Sequence, residues 1–282
     1  MRVIIYSVDD DKRIIYIKHQ KRLIKLILSH KIATIFLPIL QKGFLIDVDV
    51  KKVTPYRFKI KTFKQVISLK PYRVLYDLDM LRLDMQDFMT HIQHFVFIDF
   101  EMSMPGYQHK GFFQSEIIQF GLIVTDQTFN PLYQSMHYVY DHHKKPLSER
   151  TKKFLKLDQE TYNKQAMPYD LLYETLAYIK KTYQPKWVVW GKNDIQVLKD
   201  SFKIHKKQPI LDTQDFVDML KLHKDYYHLK DDLGLLKAFL MYYKEDISQA
   251  HDALDDAKMT LKITQAFMKL MHAHRRYLWN TY

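Results

Sequence analysis

The 282-residue chain contains no cysteine, which excludes disulfides and thiolate metal sites and fits a reducing compartment. Any metal it holds must be bound by oxygen or imidazole. Glutamate is missing from residues 1–94, where 18 Lys and Arg stand against 9 Asp. No apolar run reaches membrane length: the most apolar stretch, LIKLILSHKIATIFLPIL (residues 23–40), is broken by Lys25, His30 and Lys31. The N-terminus, MRVIIYSVDDDKR, meets three aspartates after a few apolar residues and is no signal peptide. Repeats and low-complexity segments are also lacking. These absences describe a soluble, cytoplasmic protein.

Hydrophobic residues make up 47% of the chain, enough for a real core, and the length suits one large or two modest domains. Net charge is +12, but residues 95–282 hold 26 basic against 23 acidic side chains, so most of the excess lies in the first third. The expected division is a β-rich basic domain over residues 1–90 and a second domain over 91–282. A basic lobe joined to a near-neutral lobe with clustered carboxylates suggests a polyanion held by one part and processed by the other. On charge alone, a lysine-rich surface that only solubilises is the commoner explanation.

The first lobe reads as strands at 2–7, 13–18, 31–39, 43–50, 56–63 and 72–78, with a helix near 19–29 and a connecting helix over 80–93. In YRFKIKTF (56–63), alternation puts Tyr56, Phe58 and Ile60 on one face and Arg57, Lys59 and Lys61 on the other. That basic face could track a phosphate backbone or simply be solvated. The second lobe opens with strand-like runs at 94–101, 115–124 and 131–140. Helical segments then alternate with short buried runs, WVVW (187–190) and PILD (209–212). That order implies an α/β fold, a mixed sheet flanked by helices.

Three segments carry chemistry. In HFVFIDFEMSMPG (94–106) an apolar strand ends in Asp99 and Glu101, which share a face roughly 7 Å apart. Two like charges at the mouth of a buried strand call for a positive partner. In WVVWGKNDIQVLKDSF (187–202), a strand and Gly turn lead to a helix capped near Asn193, with Asp194 on the stripe of Val197, Leu198, Ser201 and Phe202. A carboxylate there needs a cation or hydrogen bonds, or else caps the helix. In SQAHDALDDAKMTLKITQAF (248–267), Asp255 aligns with Lys258, Lys262 and Lys269, and Asp256 with Thr260, Ile263 and Phe267. Asp256 therefore faces inward. His251 lies about 140° from it on a continuous helix, so it shares the site only from the loop before the helix; otherwise it is structural.

Together these segments resemble the DEDDh 3′ to 5′ exonucleases of the RNase H-like fold. D-x-E matches Asp99 and Glu101, the second-motif aspartate matches Asp194 in WGKNDI, and H-x-x-x-x-D matches His251 to Asp256, over about residues 94–272. SEIIQFG, PLSERTKKFLKL and WGKND look most like the branch that includes the enhanced-RNAi exonucleases and KapD, while FEMS is similar to the oligoribonuclease motif. The resemblance does not extend to residues 1–90.

The resemblance implies hydrolysis of phosphodiesters at the 3′ end of single-stranded RNA or DNA. Asp99, Glu101, Asp194 and Asp256 would hold two Mg²⁺ or Mn²⁺ ions about 4 Å apart. His251 would take the proton of the attacking water. Met102 would lie against the terminal nucleotide, and Trp190 either stacks on a base or belongs to the core. A protein partner for residues 1–90 remains open. So do a regulatory, non-hydrolysing protein on the same fold and a proofreading exonuclease beside a polymerase.

Overall fold

Alternation of apolar and charged residues shapes the first part of the chain into a barrel. The computed structural model describes residues 1–142, 146–227, 229, 231–244 and 251–279, and the chain packs as two units, Met1–Met85 and Gln86–Tyr282. The first contains β1 (Arg2–Asp9), β2 (Ile14–His19), β3 (Arg22–Ile27), α1 (His30–Phe36) with a following 3-10 turn, β4 (Leu45–Thr54), β5 (Arg57–Leu69) and β6 (Tyr72–Asp77). The helix α2 (Leu78–Thr90) spans the division.

The strand order is β3-β2-β1-β4-β5-β6, and β3 also pairs in parallel with β5. That extra pairing closes β1-β2-β3-β5-β4 into a five-stranded barrel, with β6 extending the sheet along the C-terminal part of β5. A closed Greek-key barrel with these connections and a helix between β3 and β4 has the arrangement of an OB-fold. Its interior holds Ile5, Ile15, Ile17, Leu26, Ile46, Val48, Ile60 and Phe63. From α1, Ala33 and Phe36 join this core, the Phe36 ring stacking on Phe63 at 4.1 Å.

Two assignments from sequence are exchanged here. Residues 22–27, expected in a helix, form β3, because the β2–β3 turn places Gln20 (φ 47°) and Lys21 (φ 66°) in the left-handed region. This tight turn lacks the Asn and Gly that normally announce one. Residues 31–39, expected in a strand, instead complete α1 and the following 3-10 turn, because the Ser29 hydroxyl accepts from the Ile32 N–H and starts a helix.

The second unit contains β7 (His94–Met102), β8 (Ile117–Asp126), β9 (Pro131–Tyr138), α3 (Glu149–Leu155), α4 (Gln159–Gln165), α5 (Tyr169–Tyr183), β10 (Lys186–Val189), α6 (Lys192–Ile204), β11 (Phe216–Asp218), α7 (Met219–Tyr227), α8 (Leu235–Tyr242) and α9 (Ala253–Trp279). Among the described residues its strands form one mixed sheet, order β11-β10-β7-β8-β9. β10 runs parallel to both β7 and β11, whereas β8 is antiparallel to β7 and to β9. This is the RNase H-like sheet flanked by helices. The run PILD is not a strand; the edge strand forms at 216–218, after a capped 3-10 turn at Thr213–Asp215.

Alternation along β7 sorts its side chains between two layers. Val96, Ile98 and Phe100 pack with Leu172, Leu176 and Ile179 of α5 and Val197, Leu198 and Phe202 of α6. Phe95, Phe97, Asp99 and Glu101 take the opposite face, where α9 contacts β7 and β8. No helix among the described residues is long and apolar enough to cross a membrane.

Candidate active site

Asp99 and Glu101 stand near the end of the central strand, opposite Gly121 and Gln119 of β8 respectively. Immediately after Glu101 the register shifts by a bulge before Met102. Such an irregularity ends regular pairing and re-aims the chain. Beyond it, the Met104 N–H donates to Thr151 Oγ1 at 2.9 Å, and Ser148, the N-cap of α3, donates its hydroxyl to the Met104 carbonyl at 2.8 Å. The segment after β7 is thereby tied to α3, which carries Phe154.

The first turn of α9 lies directly against β8. A Cβ at Gly121 would sit 2.1 Å from the Leu254 amide nitrogen and 2.3 Å from the Ala253 carbonyl carbon, so only glycine permits this approach. Gln119, two residues before it, donates to Asp252 Oδ2 at 2.8 Å and accepts from the Ala253 N–H at 3.3 Å. Asp252 Oδ1 in turn accepts from the amides of Leu254 (3.0 Å) and Asp255 (3.2 Å), capping the helix. With the helix so fixed, Asp256 turns inward at 5% exposure. Asp255 faces solvent and pairs with Lys258 Nζ at 2.8 Å.

His251 lies in the loop before α9 with φ 52°, a left-handed conformation, and its ring packs on Phe154 with centroids 4.1 Å apart. One potential ligand atom from each of Glu101, His251 and Asp256 lies within 4.8 Å of the other two. Asp194 arrives from α6, whose N-cap is Gly191 (φ 102°) rather than the expected Asn193. Its Oδ1 accepts the Phe100 N–H at 3.2 Å, and its side chain is 6% exposed.

Burial and crowding raise these carboxyls together. Asp99 is held well above the usual aspartate range, first by burial and then by the charges of Asp194, Asp256, Glu101 and Asp252. Glu101 is pushed up to about 8 by burial and by Asp256, Asp194 and Asp252. Asp194 is raised by burial against the opposing effect of the Phe100 N–H. The hard oxygen donors of such a cluster fit divalent cations such as Mg²⁺ or Mn²⁺. Glu101, His251 and Asp256 offer ligand atoms close enough to share one ion, and Asp99 and Asp194 add carboxylates near enough to act electrostatically on that group.

Met102 is half-buried at the bulge and packs against the β7 core layer. Trp190 has a different surrounding from that of a base-stacking surface. Its indole N–H donates to the Leu233 carbonyl at 2.9 Å, and its ring packs with the cluster of Leu235, Phe239, Met259 and Ile263. Arg57, Lys59 and Lys61 lie on β5 of the first unit, all exposed.

Four site residues went unnoticed in sequence. Asp252 had a signal, since an aspartate at the start of a helical pattern is a common cap. Gly121 had a weaker one, because an isolated glycine in a strand marks a close backbone approach. Gln119 and Phe154 had none.

A family model described as Exonuclease (RNase_T) matches residues 96–264, from β7 into α9. The chain belongs to this exonuclease family. Among solved structures it is similar to the nuclease domain of 3′hExo, a DEDDh family member, bound to rAMP: 17% identity, TM-score 0.53, covering 64% of this chain and 93% of that one. It is also similar to cell-death related nuclease 4 (CRN-4), with 18% identity, TM-score 0.53 and 64% of each chain covered. E. coli exonuclease I in complex with a dT13 oligonucleotide has 16% identity and TM-score 0.52, over 66% of this chain and 43% of that one. The chain thus spans under half the length of exonuclease I and about two thirds of CRN-4. No curated protein matches the sequence. The likeness is one of fold, and the second unit has the RNase H-like architecture of DEDDh exonucleases.

Proposed function

We propose that the protein is a metal-dependent exonuclease that removes nucleotides from the 3′ end of single-stranded RNA or DNA. The observation that carries this reading is the convergence of Asp99, Glu101, Asp194 and Asp256 in a unit matching an exonuclease family, with His251 at the edge of the cluster. Cations in the site would relieve their mutual repulsion and favour the ionised forms of Asp99, Glu101 and Asp194. Two divalent ions bound there would polarise the scissile phosphodiester, favour the attacking form of water and neutralise charge on the leaving 3′ oxygen.

His251 acts as general base. Hard divalent ions favour oxygen over imidazole, so its place beside Glu101 and Asp256 suits proton transfer better than ligation. Its position outside α9 leaves the ring free of the helix phase, and Phe154 backs it. Met102, at the bulge, offers an apolar side chain to the terminal nucleotide. A single-stranded end is the natural substrate because the terminal nucleotide must enter the cluster. The ligands of the similar structures, the ribonucleotide rAMP in 3′hExo and the oligonucleotide dT13 in exonuclease I, support both RNA and DNA as candidates.

The test is chelation. Hydrolysis of a labelled single strand should cease in EDTA and return when Mg²⁺ or Mn²⁺ is added in excess. Undiminished hydrolysis under full chelation refutes the reading, and binding without hydrolysis under every metal condition favours a regulatory protein on this fold.

A further inference from the structure

The barrel of the first unit carries a surface that the nuclease chemistry does not use. We propose that its outer face, formed by β1, β2, β3 and the N-terminal part of β5, binds a single-stranded nucleic acid, with tyrosine rings stacking on bases and the lysines and arginines between them meeting phosphates.

Cross-strand pairing assembles the cations. Lys25 on β3 is paired with Tyr16 on β2 and with Arg57 on β5. Lys59, two residues along β5, is opposite Lys51 on β4. Like charges placed side by side on a sheet destabilise it, so their accumulation is a cost that a polyanion would offset. Three carboxylates nearby are paired with cations, Asp9 with Lys12 in the β1–β2 turn, Asp47 with the N-terminal amine and Asp49 with Lys64, whereas Asp10 and Asp11 are exposed at the tip of the β1–β2 turn and keep phosphates off that loop.

Aromatic rings are interleaved with these charges. Tyr6, 39% exposed, has Lys18 Nζ 4.4 Å and Lys42 Nζ 5.7 Å from its ring centroid. Tyr56, 45% exposed in the β4–β5 turn, has the Arg22 guanidinium at 5.1 Å. Lys25 Nζ lies 6.0 Å from the Tyr16 ring. Exposed rings flanked by cations are what a single strand requires, since every base has a face to stack and every linkage a charge to neutralise. A double helix hides its base faces and would leave the rings idle. Val3, Ile4 and Lys18 border a shallow open groove beside Tyr6. The barrel's connectivity agrees, because OB-folds bind oligonucleotides on the β2–β3 face and at the β4–β5 loop, where Tyr56 lies. Fold alone does not assign a ligand; here the side chains do.

The test uses the full-length protein in EDTA, so binding is read without cleavage and its outcome is separable from the nuclease reading. Affinity for fluorescent dT20 and rU20 is measured against salt for wild type, for Tyr6→Ala/Tyr56→Ala, for Tyr6→Phe/Tyr56→Phe and for Lys18→Gln/Lys25→Gln/Arg57→Gln. Thermal melts check that each variant folds. Loss of each stacking ring should weaken binding by about 5- to 150-fold, while the phenylalanine pair binds within a few fold of wild type. The charge variant should flatten the log-log salt dependence by about 0.7 per lost phosphate contact, near two units in all. If folded variants bind as wild type does with an unaltered slope, the proposal fails. It also fails if the charge variant alone loses affinity, and loses it equally for heparin, since the face is then a general polyanion surface. Unchanged strand binding by variants that no longer associate with a protein would make this face a protein-docking surface and overturn the proposal as well.

Discussion

Asp99 on β7 is paired directly across the sheet with Gly121 on β8, and the missing side chain at Gly121 lets the backbone of α9 descend onto the strand beside that carboxylate. One residue supplies a charge; its neighbour supplies the space in which His251, Asp252 and Asp256 reach it. The acidic cluster therefore depends on a glycine that carries no chemistry.

Gly121→Ala should be among the most damaging substitutions outside the carboxylates. A methyl 2.1 Å from the Leu254 nitrogen forces the first turn of α9 off β8, and overpacking of this kind costs about 1–3 kcal/mol or more. Thermal unfolding should occur at lower temperature, and hydrolysis should fall well beyond what the lost stability explains. A variant with wild-type melting and wild-type rate would show that α9 need not sit where it does.

Asp255 and Asp256 are adjacent in sequence but differ in environment. Asp256→Asn should abolish turnover and weaken Mn²⁺ binding, whereas Asp255→Asn loses only a surface pair with Lys258, worth about 0–1 kcal/mol. Calorimetric titration of Mn²⁺ alongside rate measurements separates them. Equal losses from the two substitutions would contradict the inward and outward assignments.

If His251 handles a proton and does not ligate, His251→Ala should lower the rate by roughly 10² to 10⁴ while Mn²⁺ affinity stays nearly intact. A large loss of affinity would instead make the imidazole a ligand. A rate within a few fold of wild type would remove it from the reaction.

Glu101 links pH to stability in the metal-free protein. Folded, it holds its proton to about pH 8, whereas its ordinary value is 4.5. Between those limits the folded state binds more protons than the unfolded state, so this group makes folding less favourable as pH rises through the window. In EDTA, the melting temperature of wild type should fall between pH 5 and 8 more steeply than that of Glu101→Gln. Added Mg²⁺ should raise it more at pH 8 than at pH 5. Parallel curves for the two proteins would count against the shift.

Much of the second unit could be read from spacing. Alternation places Asp99 and Glu101 on one face of β7, and helical phase separates Asp255 from Asp256, because both periods are local properties of the chain. What sequence hid is either non-local or unsignalled. The Gln119–Asp252 hydrogen bond joins residues 133 positions apart. The closure of the barrel through β3 and β5 was concealed by a β2–β3 turn without glycine, which let β3 pass for a helix. Trp190 left two readings open in the sequence, core or base stacking. Its place after a buried strand was legible, but only the Leu233 carbonyl shows that its polar atom is already satisfied within the core.

The central claim is that this carboxylate cluster hydrolyses single strands from the 3′ end, and the most direct measurement is a time course on a 5′-labelled single-stranded oligonucleotide with Mg²⁺. Wild type should produce a descending ladder of 5′-labelled fragments, each one nucleotide shorter, while the 5′ label is released last; Asp99→Asn should leave the strand intact under the same conditions. Immediate release of the label as a mononucleotide, a single internal cut, or an Asp99→Asn ladder matching that of wild type would contradict it.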